Sequence, residues 1–429
     1  MQKSTYLTVC LFTMFIGSLR ADVLPWDFSC AISSDSKIIV TEDQNGSARV
    51  WDAESGNELP QLEGRFVGFS PDGKKIFTSV WNNTIQSSTI RILDADSRLE
   101  LRKMVLGGSF EGFSPENKKI VTISDGNTVR IWDTESGREL LKLEGRFIKF
   151  SSDSKKVITQ TGDWDNTIVR IWDADSGKVL HKLGARLVEL SPDDKNIVTA
   201  SNDNTVRILD VESGKEVRTL RTSQTSRTSR TLRRTSRTSE EVDEVVFSPD
   251  GKKIVVTSYS GGDVNPMDIG GSFAQNVRIW HVDTGKELWR STVERFSGPL
   301  DSTVNFSPDG TKVITKNTFG SNIQFWDANS GRELRLKGLG RRTVDSADFS
   351  PDGKKIATVT TDTQGSDCIV QIWNSNNGNE LHRLNISQSL LLIESVFYVT
   401  FSPDGKKVVT VSKSNVVKDN YTVRVLPVP

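Results

Sequence analysis

Short apolar segments alternate with polar turns along almost the whole chain. Residues 118–143, for example, contain the apolar segments KKIVTI, TVRIWD and ELLKL, separated by SDGN and TESGR. Such segments are short, rich in β-branched residues and bounded by Gly, Asp, Asn and Ser, which is typical of β-strands joined by tight turns. The pattern therefore predicts an all-β protein.

One unit of this pattern recurs nine times between residues 22 and 429. Its first half has the idealised form FSPDGKKIVT, and its second half the form TVRIWDxxSGxEL. The first halves are marked by an apolar residue at Ile32, Phe69, Phe113, Phe150, Leu190, Phe247, Phe306, Phe349 and Phe401. The second halves are centred on Trp51, Leu93, Trp132, Trp172, Leu209, Trp280, Trp326, Trp373 and Leu426.

Each unit is predicted to form four antiparallel strands, a to d. Strand a ends at the marker residue, and a Pro-Asp-Gly turn leads into strand b, KKIVT. Strand c is VRIWD, whose alternation is expected to bury Val and Trp on one face, and strand d follows the Ser-Gly turn. Four strands per repeat of roughly 40 residues form a propeller blade, which buries its faces only by stacking on its neighbours.

The segment that begins FSPENKKIVTISDGNTVRIWDTESGREL at Phe113 resembles a blade of the WD-repeat family, and the likeness extends over residues 22–429. The resemblance implies an all-β, single closed β-propeller of four-stranded antiparallel blades. Nine units imply nine blades, with eight as the alternative. The family's usual Gly-His pair before strand a is missing, because none of His181, His281 and His382 follows a glycine. The buried histidine network that often braces such blades is therefore not expected.

Loop lengths suggest where binding takes place. The a–b and c–d turns keep one length, whereas the b–c and d–a connections vary, mostly in units five to nine. Successive turns of an antiparallel sheet alternate between its two ends, so the variable connections share one face. Variable loops on a fixed scaffold are where binding usually occurs, although neutral drift in length is the alternative.

The longest insertion, residues 221–239, is a low-complexity Arg/Ser/Thr tract. It carries six arginines and no acidic residue: Arg221, Arg227, Arg230, Arg233, Arg234 and Arg237. Clustered arginines can bind phosphate, sulfate or carboxylate groups. The iterated RTS triplets and the acidic residues that follow favour instead a solvated tract without specificity.

A second insertion, residues 258–275, contains Tyr259 and Phe273 as candidate contact residues. Asp263, Asn265 and Asp268 offer oxygen atoms of the kind that bind Ca²⁺, but their spacing fits no known calcium loop, and a Gly-rich loop is the favoured interpretation. We therefore expect no metal and no cofactor.

The tryptophans fall into two groups. Those at the centre of strand c recur once per unit and are predicted to lie in the core, so that Trp132→Ala should cost about 3–5 kcal/mol. Trp81 and Trp164 fall outside this register, in b–c connections on the variable face. These two are candidates for stacking on a sugar or a peptide.

The first 21 residues differ from the rest of the chain. A short positive region with Lys3 precedes the apolar run from Tyr6 to Gly17, and small residues end at Ala21. This order is typical of a secretory signal peptide, and the run is too short to span a bilayer. We therefore expect residues 1–21 to be removed and the propeller, residues 22–429, to be secreted or periplasmic. Cys30 and Cys368 are expected to be small buried residues in strands.

Unit nine ends after strand c, so its fourth strand should come from elsewhere in the chain. Residues 22–25 are the unassigned segment that we expect to pair there.

No motif of a catalytic site is present in the sequence. It lacks a nucleophile elbow, an HExxH pair, a phosphate-binding loop and a dinucleotide fingerprint, and its carboxylates recur at turn positions. Basic and acidic residues number 55 each, so no overall field favours nucleic acid. The hypothesis is a monomeric, non-catalytic scaffold that binds a protein or a polymer through the long loops. The alternatives are a secreted propeller enzyme, a hydrolase or a lyase, and an anion binder that uses the arginine tract.

Overall fold

The structure is a computed structural model that describes thirteen stretches of the chain. These are residues 30–42, 47–124, 127–162, 167–201, 205–221, 240–261, 273–296, 302–317, 323–339, 342–361, 368–385, 394–414 and 421–428. Every regular element in these stretches is a β-strand. The strands form nine antiparallel sheets, one for each sequence unit, as expected for a nine-bladed β-propeller.

The strands of the first five blades follow chain order. Blade 1 contains β1 (Cys30–Ile32), β2 (Ile38–Glu42), β3 (Ala48–Asp52) and β4 (Glu58–Leu62). Blade 2 contains β5 (Arg65–Phe69), β6 (Lys75–Asn82), β7 (Ser87–Asp94) and β8 (Glu100–Gly107). Blade 3 contains β9 (Ser109–Phe113), β10 (Lys119–Ser124), β11 (Thr128–Asp133) and β12 (Glu139–Glu144). Blade 4 contains β13 (Arg146–Phe150), β14 (Lys156–Thr161), β15 (Ile168–Asp173) and β16 (Val179–Gly184). Blade 5 contains β17 (Leu187–Leu190), β18 (Asn196–Ala200), β19 (Thr205–Asp210) and β20 (Glu216–Arg221).

The last four blades include two with three strands in the described residues. Blade 6 contains β21 (Glu240–Phe247), β22 (Lys253–Gly261), β23 (Phe273–His281) and β24 (Glu287–Phe296). Blade 7 contains β25 (Ser302–Phe306), β26 (Lys312–Asn317) and β27 (Ile323–Asp327). Blade 8 contains β28 (Thr343–Phe349), β29 (Lys355–Thr361), β30 (Cys368–Asn374) and β31 (Glu380–Asn385). Blade 9 contains β32 (Glu394–Phe401), β33 (Lys407–Ser414) and β34 (Tyr421–Pro427).

The chain divides into two compact units. The first comprises Met1–Phe150, Ala174–Gly177 and Ser387–Pro429, and the second comprises Ser151–Asp173 and Lys178–Ile386. In the first unit, blade 9 packs on blade 1 through a cluster that includes Trp51 and Val409. Val50 and Ile76 belong to the cluster between blades 1 and 2, and Phe77 to the cluster between blades 2 and 3.

The second unit repeats this arrangement. Ile208 and Trp280 belong to a cluster shared by blades 5 and 6, and Ile279 and Trp326 to a cluster shared by blades 6 and 7. Trp373 lies in the cluster that joins blades 7 and 8. The core is thus a series of apolar layers between neighbouring sheets, as expected for repeats that bury their faces by stacking.

The prediction that Val and Trp of strand c share a face is wrong. In blade 1, Ala48 occupies the Val position and faces blade 2, whereas Trp51 faces blade 9. Adjacent residues of a strand point to opposite sides of the sheet, and both sides of a blade are covered. Val and Trp of VRIW are three positions apart and therefore also lie on opposite faces.

In the described residues, blade 7 has no fourth strand in the segment that follows Ser330-Gly331, where one was predicted. Within the described residues, this segment makes one bridge to β27, between Glu333 and Trp326. It then packs Leu336 against the core between blades 7 and 8, and the Lys337 backbone N–H donates to Gly378 O at 2.8 Å. The segment packs towards blade 8 because its leucines, Leu334, Leu336 and Leu339, are partly buried against that core. Residues 22–25, expected to complete blade 9, lie outside the described residues.

Candidate functional site

The a–b turns are built on a serine whose side chain closes the turn. In blade 2, Ser70 Oγ donates to Asp72 Oδ1 at 2.5 Å and accepts from the Lys75 backbone N–H at 2.9 Å. Blades 1, 4, 5, 6, 7, 8 and 9 contain the same two hydrogen bonds. Blade 3 has Glu116 at the aspartate position and keeps only the bond from the strand b N–H to Ser114 Oγ. The serine and aspartate of the repeat therefore have a structural role.

The c–d turns use a second serine and aspartate. Asp133 Oδ1 accepts from the Ser136 N–H at 2.6 Å and from Ser136 Oγ at 2.5 Å. These hydrogen bonds lower the pKa of Asp133 below its usual value, and Ser55 lowers the pKa of Asp52 in the same way. Gly137 ends the turn at a φ of 70°, a conformation that favours glycine. The recurring carboxylates are thus turn formers, as predicted.

Both kinds of turn lie at the same end of the blades. Lys119, directly after the a–b turn of blade 3, donates from Nζ to Asp175 Oδ1 at 2.6 Å and to Ala174 O at 3.1 Å. Ala174 and Asp175 belong to the c–d turn of blade 4. We call this end the turn face and the opposite end, with the b–c and d–a connections, the loop face.

The blades differ in how far they extend towards the loop face. The b–c ladders all begin at the turn face, at pairs such as Lys156↔Asp173 and Lys253↔His281. The ladder has six pairs in blade 4 but nine in blade 6, where it ends at Gly261↔Phe273. At about 3.3 Å per residue, blade 6 extends about 10 Å further. Part of the insertion that was predicted as loop in unit six is therefore ordered hairpin.

The strand c tryptophans make a recurring hydrogen bond. The indole N–H of Trp373 donates to Thr358 Oγ1 of the neighbouring strand b at 2.8 Å, and Trp51 donates to Thr41 in the same way at 2.9 Å. Equivalent bonds occur at Trp132, Trp172 and Trp326. Each bond satisfies an indole N–H that the packing of the blades would otherwise isolate from water.

A match to a family model agrees with this architecture. The sequence matches the family described as WD domain, G-beta repeat, over residues 181–210 and 335–374. The chain folds as a β-propeller, and these two segments match the WD repeat. The solved structure of the computationally designed Ika8 protein is similar to it, with 18% identity and a TM-score of 0.47, covering 86% of this chain and 98% of that one. No curated protein matches the sequence.

Most predictions for the tryptophan core of the propeller are confirmed. The strand c tryptophans of five blades are buried: Trp51, Trp172, Trp280, Trp326 and Trp373. Trp132 is half-buried rather than fully enclosed, although it packs on the cluster between blades 2 and 3.

Trp81, predicted as a contact residue in a b–c connection, lies on the surface of blade 2. It lies near the loop-face end of β6, where it pairs with Ser88 of β7, and not in a loop. Its side chain is 39% exposed, and its indole N–H donates to Asn83 Oδ1 at 2.6 Å. Ile85, at the tip of the same hairpin, is also exposed. Blade 2 therefore presents an aromatic and an aliphatic side chain at the loop face.

The remaining predicted site residues are only partly covered by the structure. Tyr259 and Phe273 belong to β22 and β23, so the second insertion is strand at both ends and not loop throughout. Arg221 is the last residue of β20. The other predicted contact residues lie outside the described residues: Trp164, Arg227, Arg230, Arg233, Arg234 and Arg237.

Other features of the propeller concern metals, membranes and cysteines. In the described part of the chain, no three His, Cys, Asp or Glu residues are placed to hold a metal ion. No helix there is long and apolar enough to cross a membrane. Cys30 and Cys368 are buried in β1 and β30, which confirms the expectation for both.

The sequence analysis missed a groove between blades 2 and 3 on the turn face. This cavity of about 730 Å³ is lined by the a–b turns of both blades and the c–d turn of blade 3. The sequence did mark two residues of this groove as unusual. Thr134 occupies a position that is Ala or Val in most other units, and Asn117 occupies a position that is often Gly.

Proposed function

We propose that this WD-repeat propeller is an exported, non-catalytic scaffold that binds a protein or a polymer partner through its loop face. The binding surface would comprise the b–c and d–a connections of units five to nine, with blade 6 as its most prominent element. The single observation that carries the proposal is the nine-pair ladder of blade 6, against six pairs in blade 4 of the same compact unit.

An ordered hairpin supports a binding role better than a variable loop does. Extending a hairpin requires matched strand residues on both sides. In blade 6, β22 and β23 have nine residues each and β24 has ten. Unselected insertions need no such matching, because flexible surface loops cost little to lengthen. The concerted extension of three strands therefore favours a selected surface.

The proposal of a non-catalytic role rests on the chemistry of the carboxylates. Repeated acids such as Asp72 and Asp133 accept hydrogen bonds within their own turns, which makes them turn formers and not bases aimed at a substrate.

Export is proposed from the apolar run at 6–17 and the small residues that follow it.

Capture from the culture medium and periplasm of the source organism tests this proposal. The bait would be the full propeller, and the test variant would replace residues 262–272 with Asn-Gly, which closes the hairpin with a two-residue turn. A control variant would replace three exposed turn-face lysines, Lys37, Lys155 and Lys195, with glutamate.

We expect the trimmed variant to lose partners that the wild type and the control variant retain. Retention of every partner by the trimmed variant, with loss in the turn-face variant, would contradict the proposal. Detection of the protein with an intact N-terminus inside the cytoplasm would contradict export.

A further inference from the structure

We propose that the β6–β7 hairpin of blade 2 is a separate binding site, which takes a neutral polysaccharide by stacking a sugar ring on Trp81. The site belongs to unit two of the repeat and not to units five to nine. Its failure in a test would therefore leave the function proposed above untouched.

The hairpin extends past the hairpins of blades 1 and 3 in the same compact unit. Its ladder has eight pairs, from Lys75↔Asp94 to Asn82↔Ser87, whereas the corresponding ladder has six pairs in blade 3 and five in blade 1. All three ladders begin at the turn face. The two pairs of blade 2 that go beyond the ladder of blade 3 are those of Trp81 and Asn82, and they add about 7 Å of strand. Trp81 is thereby raised towards solvent at the loop face.

The ring of Trp81 is held in one orientation. Its indole N–H donates to Asn83 Oδ1 at 2.6 Å, and Gln86 Nε2 donates to Asn83 O at 2.7 Å across the tip of the hairpin. Asn82 Oδ1 accepts from the Thr84 backbone N–H at 2.9 Å. Trp81 is nevertheless 39% exposed. A ring that is fixed before binding loses little conformational entropy when a ligand stacks on it.

The base of the hairpin is anchored to blade 3. Trp81 pairs with Ser88, which is buried. Ser88 Oγ donates to Gly108 O at 2.9 Å and accepts from the Phe110 backbone N–H at 2.9 Å. Phe110 belongs to β9, the first strand of blade 3. Trp81 is therefore carried by a rigid base.

The polar groups around the ring are uncharged. Residues 81–89, WNNTIQSST, contain amides and hydroxyls but no charged side chain, whereas the b–c connections of units one, three, four and five each carry an aspartate. Residues 81–86 are all exposed. In the described part of the chain, no hydrogen bond involves Asn82 Nδ2, Asn83 Nδ2 or Thr84 Oγ1. These groups are available to the hydroxyls of a sugar.

This combination favours a neutral sugar over other ligands. A sugar ring has a face of C–H groups that packs on the electron-rich face of an indole, while its hydroxyls exchange hydrogen bonds with amides. An anion would find no cation among residues 81–89. An extended peptide could not add to the hairpin as a further strand, because β6 and β7 are both interior strands of blade 2.

Frontal affinity chromatography of the full propeller tests the proposal. The columns would carry dextran, laminarin, hydroxyethylcellulose or galactomannan as neutral polysaccharides, and polygalacturonate as the anionic control. We expect at least one neutral polysaccharide to retain the wild type more strongly than polygalacturonate does. Retention should be the same at low and high salt, because stacking on Trp81 involves no pair of charges that salt could screen.

Point variants test the hairpin itself. Trp81→Ala removes the stacking surface and should weaken binding by at least about tenfold. Asn83→Ala frees the indole N–H and should also weaken binding, whereas Asn83→Asp keeps an acceptor for the indole and should retain it. Ile168→Ala is the matched control, because Ile168 is similarly exposed, at 40%, at the start of β15, and it should bind like the wild type.

Three results would overturn the proposal. The first is no retention on any neutral polysaccharide at about 10 mM immobilised sugar. In that case, loss of a captured protein by Trp81→Ala would assign the hairpin to a protein partner instead. The second is equal retention of the wild type and Trp81→Ala. The third is retention that high salt abolishes, which would show that charge and not stacking holds the ligand.

Discussion

The ammonium group of Lys407 donates a hydrogen bond to the carbonyl oxygen of Ala53 at 2.9 Å, across 354 positions of the chain. Lys407 begins strand b of blade 9, and Ala53 lies in the c–d turn of blade 1. Beneath this bond, Trp51 packs with Val409 and Val411 of blade 9. The first and last blades are therefore held together by the same contacts that join consecutive blades.

Removing this hydrogen bond should loosen the junction between blades 1 and 9. Lys407→Met keeps most of the side-chain length but leaves Ala53 O without its donor, and we expect a loss of about 1–2 kcal/mol in the free energy of unfolding. Lys406→Met is the matched control, since Lys406 is exposed. Urea unfolding followed by tryptophan fluorescence gives both values. Equal stability of the two variants would show that the bond contributes nothing to the junction.

Tryptophan substitutions should rank by burial. Trp373 is fully buried between blades 7 and 8, so Trp373→Ala should cost about 3–5 kcal/mol. Trp132 is only half-buried, and Trp132→Ala should cost less than Trp373→Ala. Trp81→Ala should change stability by less than about 0.5 kcal/mol, the usual range for surface positions. Thermal unfolding of the three variants measures the order, and any other order would contradict the assignment of the core.

The repeat was predictable because each blade is specified locally. The serine, aspartate and glycine of both turns fix where strands begin and end, and the β-branched segments between them have few alternatives to extended structure. The cross-strand pairing of Trp373 with Thr358 follows from one repeat of the pattern. Local chemistry thus determines the blade and, by repetition, the number of blades.

Features that depend on two blades were not predictable. Residues 333–337 have the composition of strand d, yet Leu336 and Lys337 leave the sheet because blade 8 offers a buried surface and the carbonyl of Gly378. Thr134 and Asn117 look like ordinary turn residues in the sequence. The groove that they line forms only where the turns of blades 2 and 3 are adjacent in space.

The arginine tract should be dispensable for folding. Deleting residues 224–239 removes no described strand, because β20 ends at Arg221 and β21 begins at Glu240. Since loop-closure entropy changes slowly with length, the melting temperature should shift by no more than about 2 °C. A variant with a Gly/Ser sequence of equal length is the control. A large loss of cooperativity in the deletion but not in the control would show that length matters, and a loss in both would show that the arginines are structural.

Stability should fall in acid because the turn aspartates are stabilised as carboxylates. Hydrogen bonds from Ser136 lower the pKa of Asp133 below its ordinary 3.8, and bonds from Ser70 lower the pKa of Asp72. A carboxyl group with a lowered folded-state pKa adds stability above its unfolded pKa, and that stability is lost as the pH falls through the folded value. The free energy of unfolding should therefore be steady from about pH 7 to pH 5 and decline below about pH 4.

Ser136→Ala tests the origin of this decline. The variant loses the hydroxyl hydrogen bond to Asp133, keeps the backbone N–H bond, and should be less stable than the wild type by about 1 kcal/mol at pH 6. As the pH falls through the lowered folded-state pKa of Asp133, its carboxylate becomes protonated in the wild type as well, so the difference should shrink. Ser109→Ala, at an exposed position of β9, is the control and should follow the wild type throughout. A difference between Ser136→Ala and the wild type that stays constant from neutral to acid pH would show that the charge on Asp133 has no part in the stability of the turn.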